Sequence, residues 1–141
     1  IVGLGGGGLA ERAHLAKLSR REERVRDVFV SDIGSFPGGV DPTTDAAMVM
    51  GETVIATDYF KSFLAKLRKV FGGELGAYRS LMVRARREAV VQMLEQAKRQ
   101  GCDAVCNVRL DPADLGGTGV RSRGMTTVAI VATGTAYRRR T

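Results

Sequence analysis

A two-layer α+β fold, an antiparallel sheet with helices over one face, follows from three features of the sequence. Strand-like stretches lie before and after a pair of helical segments instead of alternating with them, the pattern of an antiparallel sheet packed against helices. The longest segment, residues 77–100, repeats Leu81, Ala85, Ala89, Met93 and Ala97 at helical spacing, with Val90 and Leu94 widening the stripe. Glycine, proline and aspartate gather largely at the joints between segments. With 141 residues the chain has room for one domain and a proper core.

Taken in order, Leu9 to Arg24 reads as a helix whose apolar pattern is mediocre, so it is expected to pack loosely. Val28-Phe-Val-Ser-Asp-Ile33 alternates and is β-rich, which predicts a strand, and turn chemistry follows at Ser35–Gly39 and Asp41–Thr44. Ala46 to Thr57 is a second strand with Gly51 inside it, where a glycine signals a bulge or a close backbone approach. Thr57-Asp58 caps a short helix carrying Phe60, Phe63, Leu64, Leu67 and Val70, which stops at Gly72-Gly73. Gly101 ends the long helix. Ala104–Leu110 and Thr126–Ala136 are the last strands, joined by a glycine-rich loop from Pro112 to Gly124. Apolar side chains fall on both faces of the final strand, Val128, Ile130 and Tyr137 on one and Ala129, Val131 and Ala136 on the other. A sheet apolar on both faces, with helices on only one, is expected to bury the second against another subunit.

The net charge of +7 raises nucleic acid or an anionic membrane as partners. Nucleic acid is disfavoured by the absence of Trp and of any interleaved Arg/aromatic pattern for stacking bases. Gly3, Gly5 and Gly8 form a formal G-x-G-x-x-G, yet only Ile1-Val2 precedes it and no later strand–helix alternation supplies a parallel sheet, which argues against a dinucleotide site. The apolar glycine stub, followed by Arg12, Lys17, Arg20, Arg21, Arg24 and Arg26, matches the cytoplasmic exit of a membrane span. Residues 1–26 are therefore expected to be a juxtamembrane connector helix, with the globular domain over 28–141 on the cytoplasmic side. A flexible glycine leader before a solvated helix explains the same residues.

Five separated motifs carry a family likeness: Gly51-Glu52, the Gly72-Gly73 hinge with Gly76-Ala77-Tyr78, Ala85-Arg86-x-Glu88-Ala89, Gly101-x-Asp103-Ala104-Val105, and Gly134-Thr135-Ala136. Together they resemble the YbjQ-like domain, a family associated with heavy-metal binding, over roughly four-fifths of the chain. Glu11-Arg12-x-His14-x3-Leu18-x2-Arg21-Glu22 likewise resembles the juxtamembrane segment of the membrane-anchored subgroup. The resemblance implies a dodecin-like β-α-β-β subunit assembling as a homopentamer, and a binding module for a metal or small ligand.

No Ser-His-Asp, Cys-His or paired-carboxylate grouping can be specified, because His14 is the one histidine and no acid pair shares a face. The first expectation is therefore a non-enzymatic oligomeric binding module. An enzyme with an acidic site between subunits, and an adaptor holding anionic lipid or acidic partners through basic helices, are the alternatives. In the ring that the resemblance implies, copies of Glu52 converge on an axis, where carboxylates hold hard cations. Gly51, Tyr78 and Arg86 join Glu52 as candidate ligand-binding residues, with an ion pair between Glu52 and Arg86 as the plainer possibility. Cys102 and Cys106, with Asp103, are the candidate metal donors, since thiolates select soft metals. In a continuous strand the two cysteines share a face at about 13 Å, too far for one ion, and packing as small hydrophobes is the competing explanation. The resemblance does not support the cysteine pair.

Overall fold

The computed structural model describes residues 3–55, 74–114 and 128–140. Its elements are α1 (Gly3–Arg24), β1 (Phe29–Val30), β2 (Ala47–Ile55), α2 (Glu74–Arg99), β3 (Ala104–Asp114) and β4 (Val128–Tyr137). The strands form one sheet in the order β1-β3-β4-β2, with α2 packed across it. The expected 57–70 helix and the Gly72-Gly73 hinge lie outside the described residues, and the glycine run at 3–8 lies within α1.

The two-layer α+β class holds, but the sheet is mixed, not antiparallel. β3–β4 and β4–β2 are antiparallel, whereas β1 runs parallel to β3 with Phe29 beside Ala104 and Val30 beside Val105. Alternation finds a strand without saying in which direction it pairs. Here the direction follows from where α1 ends. Lys98 Nζ, in the last turn of α2, donates to the Arg24 carbonyl at 2.5 Å and to Asp27 at 2.8 Å. The chain leaving α1 is thus delivered beside the point where β3 begins, and it proceeds in the same direction.

α2 stops by chemistry legible in the sequence. Gly101 adopts φ 75°, its N–H donates to the Lys98 carbonyl (3.0 Å), and the Cys102 N–H reaches back to Ala97 (3.1 Å). This left-handed residue with nested 5→2 and 6→1 bonds satisfies carbonyls that the helix end would otherwise orphan. The predicted stripe is the buried one: Leu81, Ala85, Ala89, Met93, Leu94 and Ala97 join Val49, Val105, Ile130, Ala132 and Ala136 in the core.

The register of β4 corrects the expected facing of its side chains. Strict alternation runs through all of β4, so Ile130, Ala132, Gly134 and Ala136 face α2, while Ala129, Val131, Thr133, Thr135 and Tyr137 face outward. Tyr137 and Ala136 therefore exchange the faces first expected of them. Tyr137 is nonetheless buried: its hydroxyl donates to the Pro37 carbonyl at 2.7 Å, and its ring meets Phe36 edge-on at 5.1 Å. The turn-rich 33–40 segment thereby covers one end of the outer face, with Val40 against Ala104, Cys106 and Tyr137.

A bulge interrupts β3 where Cys106 pairs with Thr135 but Arg109 pairs with Thr133, placing two residues opposite one. Asn107 takes φ 52°, and its N–H donates to Ile33 at 2.9 Å while that of Val108 donates to Ser31 at 3.2 Å. Asn tolerates this left-handed conformation better than any β-branched residue. Asn107→Val is expected to lower stability by about 1–2 kcal/mol and Asn107→Gly to be near neutral, read from urea midpoints. Equal losses for both would show that the side chain, not the backbone angle, matters.

Candidate functional site

The sheet order makes β2 an edge strand, and an edge strand presents unpaired backbone groups. α2 lies directly along that edge. A Cβ built on Gly51 would stand 2.0 Å from the Ala89 carbonyl oxygen and 2.7 Å from the Met93 nitrogen, so only glycine admits the helix backbone here. This is the close approach that a glycine within a strand signals. The proximity lets two helix side chains satisfy the edge: Gln96 Oε1 accepts from the Met50 N–H (2.7 Å) and Gln92 Oε1 from the Glu52 N–H (3.3 Å). The match is geometric, since residues four apart on a helix and two apart on a strand are spaced almost alike, about 6 and 6.7 Å.

A shallow groove of about 430 Å³ opens over this seam, lined by Met50, Glu52, Gln92, Glu95, Gln96 and Arg99. Glu95 is already committed, its two oxygens accepting from Arg21 Nε (2.9 Å) and Nη2 (2.8 Å). The same Arg21 reaches Glu88 through Nη1, and Glu22 pairs with Arg87 through two 2.7 Å bonds. Hydrogen bonds from Arg21 hold the Glu95 carboxyl below its ordinary range, and those from Arg87 do the same for Glu22. With Leu18 and Val25 buried, these pairs seat α1 on α2, where loose packing was expected. A second groove of about 640 Å³ runs beside Arg24, Val25, Glu95, Lys98 and Arg99 at this helix junction.

Of the residues nominated from sequence, Gly51 and Glu52 sit on this seam. Glu52 is exposed on the outer side of β2 and makes no ion pair with Arg86, which is exposed on α2. Tyr78 belongs to the first turns of α2, and its side chain lies outside the described residues. The groove was instead completed by Gln92, Glu95, Gln96 and Arg99. Their 3.6-residue spacing is visible in the sequence, but nothing local says that a strand edge lies beneath them.

The cysteines do not share a face, contrary to the strand geometry expected of them. Cys102 precedes β3, closes the end of α2 and packs in the core beneath the helix, whereas Cys106 packs on the opposite side of the sheet with Ala104 and Tyr137. Burial pushes both thiols above their ordinary range, and the charge of Asp103 adds to the effect at Cys102. Asp103 is occupied by Arg139, accepting from its N–H at 2.8 Å and lying 3.4 Å from its Nε. Thiolate ligands must be deprotonated, so two buried neutral thiols on opposite sides do not fit one soft ion. Among the described residues no three His, Cys, Asp or Glu side chains gather for a metal, and His14 is exposed on α1.

The outer face of the sheet carries the other unusual surface. Met48, Met50 and Val54 are 71%, 51% and 56% exposed, successive outward residues of β2 apart from Glu52 between them. Among the described helices none is long and apolar enough to cross a membrane.

Comparison with known proteins places these features in context. A family model described as "Putative heavy-metal-binding" matches residues 39–139. A UPF0145 protein of Pasteurella multocida is 37% identical over 89 residues, covering 63% of this chain and 78% of the relative. One from Carboxydothermus hydrogenoformans is 34% identical over 98 residues, covering 70% and 84%, and one from Halobacterium salinarum is 36% identical over 81 residues, covering 57% and 78%. Among solved structures, a protein of unknown function from Pediococcus pentosaceus superposes with a TM-score of 0.47 at 11% identity, over 80% of this chain and 98% of that one.

Proposed function

This chain belongs to the YbjQ-like (UPF0145) family, and from that premise we propose that it is a non-enzymatic, oligomeric binding module whose copies meet over the outer face of the sheet. The observation that carries the reading is the exposed strip of Met48, Met50 and Val54 on β2, beside the half-buried Val131 of β4. Large apolar side chains set in a row on a strand mark a contact surface more than isolated ones do. The 33–40 segment covers one end of that face, leaving this strip for another copy. A cyclic assembly of about five subunits, with a dodecin-like arrangement of β2-α2-β3-β4, is the form the family likeness supports. The groove over Gly51 and Glu52 then lies next to the subunit contact, where a ligand could be shared.

Light scattering on the chain should give a mass of about five subunits, and Val54→Glu should lower it by placing charges in the contact. A wild-type monomer at micromolar concentration ends the oligomer reading.

The basic N-terminal region supports a second element of the proposal, that residues 1–26 connect the domain to an anionic membrane on the cytoplasmic face. Arg21 is engaged with Glu88 and Glu95, so Arg12, Lys17, Arg20, Arg24 and Arg26 are the side chains offered to headgroups. Each is worth about 1 kcal/mol near such a surface.

A further inference from the structure

We infer that Met48 and Met50 are a chelating thioether pair for a soft monovalent cation, Cu(I) or Ag(I). The inference rests on the binding-module reading and deepens it by naming its ligand class: the pair lies within the strip assigned to the subunit contact, so the ion is held at that contact.

The chemistry of the sulfurs leads there. Among the described residues Cys102, Cys106 and Met93 are buried and Met82 is partly buried against the core, so Met48 and Met50 are the exposed sulfurs of the subunit. They stand two apart on β2, opposite Thr135 and Thr133 of β4, and therefore project from the same face. Their Cα atoms are about 6.7 Å apart, and each side chain has three rotatable bonds, enough for both sulfurs to reach one ion. Thioethers are soft donors that select Cu(I) over the hard and borderline ions of the cell, and d¹⁰ monovalent ions accept two-coordinate binding. Glu52, the next outward residue, sets a carboxylate close by on the same face and favours a cation there.

The strand is held ready for this. Gln96 and Gln92 fix the Met50 and Glu52 amides, and Gly51 between them is pressed against α2, so the backbone carrying the pair is anchored on its edge side. Binding then orders only side chains. A thioether has no proton to lose, so affinity should be flat between about pH 6 and pH 8, where a thiol site would strengthen as it ionises.

The test uses the intact chain with its methionine ε-methyl groups ¹³C-labelled, titrated with silver nitrate in chloride-free buffer. In a Met125→Leu background the expected result is one Ag(I) per chain, with the Met48 and Met50 ε-methyl signals shifting together and those of Met82 and Met93 unmoved. Met48→Leu and Met50→Leu should each weaken binding at least tenfold, and the double variant should abolish it. Leucine keeps the apolar volume, so fold and assembly should persist, verified by light scattering on the same samples. Unmoved ε-methyl signals, binding that survives the double variant, or affinity that climbs with pH would each overturn the inference. An assembly that ignores silver leaves the oligomer reading intact, and a monomer that binds it leaves the thioether pair intact while ending that reading.

Discussion

Gly51→Ala is expected to cost about 3 kcal/mol or more, the upper range for overpacking, and to lower Tm by about 10 °C or more at roughly 3–5 °C per kcal/mol for a chain of this size. The added methyl would stand 2.0 Å from the Ala89 carbonyl oxygen, 2.7 Å from the Met93 nitrogen and 2.9 Å from Gln92 Cβ. Two of these three atoms are helix backbone, which cannot swing aside as a side-chain tip can. The helix must lift from the strand, and that loosens Gln92 and Gln96 from the edge they satisfy and exposes the core around Met93. Gly134→Ala is the control. There the first obstacle is Val105 Cγ1 at 2.6 Å, then the Cys106 carbonyl and Met93 Sδ at 3.3 Å, and side chains can partly yield. It should therefore cost less, about 1–2 kcal/mol. Thermal and urea melts of the two variants provide the comparison. If Gly51→Ala proved the milder of the two, the direct seating of α2 on β2 would be wrong.

Arg21→Ala is expected to remove about 2 kcal/mol and to free α1 from α2. Arg21 joins two carboxylates at once, and the side chains of Arg21, Glu88 and Glu95 are only 22%, 16% and 24% exposed. Taking away the guanidinium strands Glu88 and Glu95 in a partly desolvated seam, and Glu88 already has one oxygen buried without a partner among the described residues. Breaking a fully buried pair costs about 3–5 kcal/mol, and residual solvent reduces that here. The effect has a pH signature. Glu95 is held below its ordinary pKa of 4.5 chiefly by hydrogen bonds from Arg21. Its stabilising contribution is therefore complete above that value and is lost as pH falls through the lower, folded one. Urea midpoints at pH 7 and pH 3 should consequently differ less in Arg21→Ala than in the wild type. A loss under 0.5 kcal/mol, or an unchanged pH difference, would show that α1 is held without Arg21, by Leu18, Val25 and the Glu22–Arg87 pair.

These two expectations divide along the line between what local sequence carries and what it cannot. Gly51 was marked in the sequence because a glycine inside a strand demands an explanation, and the close approach is that explanation. The α2 stripe, the Gly101 stop and the strands of β2, β3 and β4 were legible for the same reason: residues three, four or two apart are neighbours by covalent geometry alone. The family, too, was carried by local motifs. The Arg21 latch was not legible. Residues 12–26 read as a row of charges facing solvent or lipid, because their partners Glu88, Arg87 and Glu95 are more than sixty positions away.

The sequence by itself thus determined the α2 stripe, its stop at Gly101 and the α+β class, since each rests on hydrogen bonds and side-chain rows closed within a few residues. Tertiary structure alone decided that β1 runs parallel to β3 and that β2 is the sheet edge. It also decided that Cys102 and Cys106 are buried on opposite sides while Met48 and Met50 are exposed on the outer face of the subunit. Pairing direction, strand order and exposure are properties of contacts between distant segments, and they are fixed only when the core around Met93 and Val105 closes and each strand competes for its neighbours.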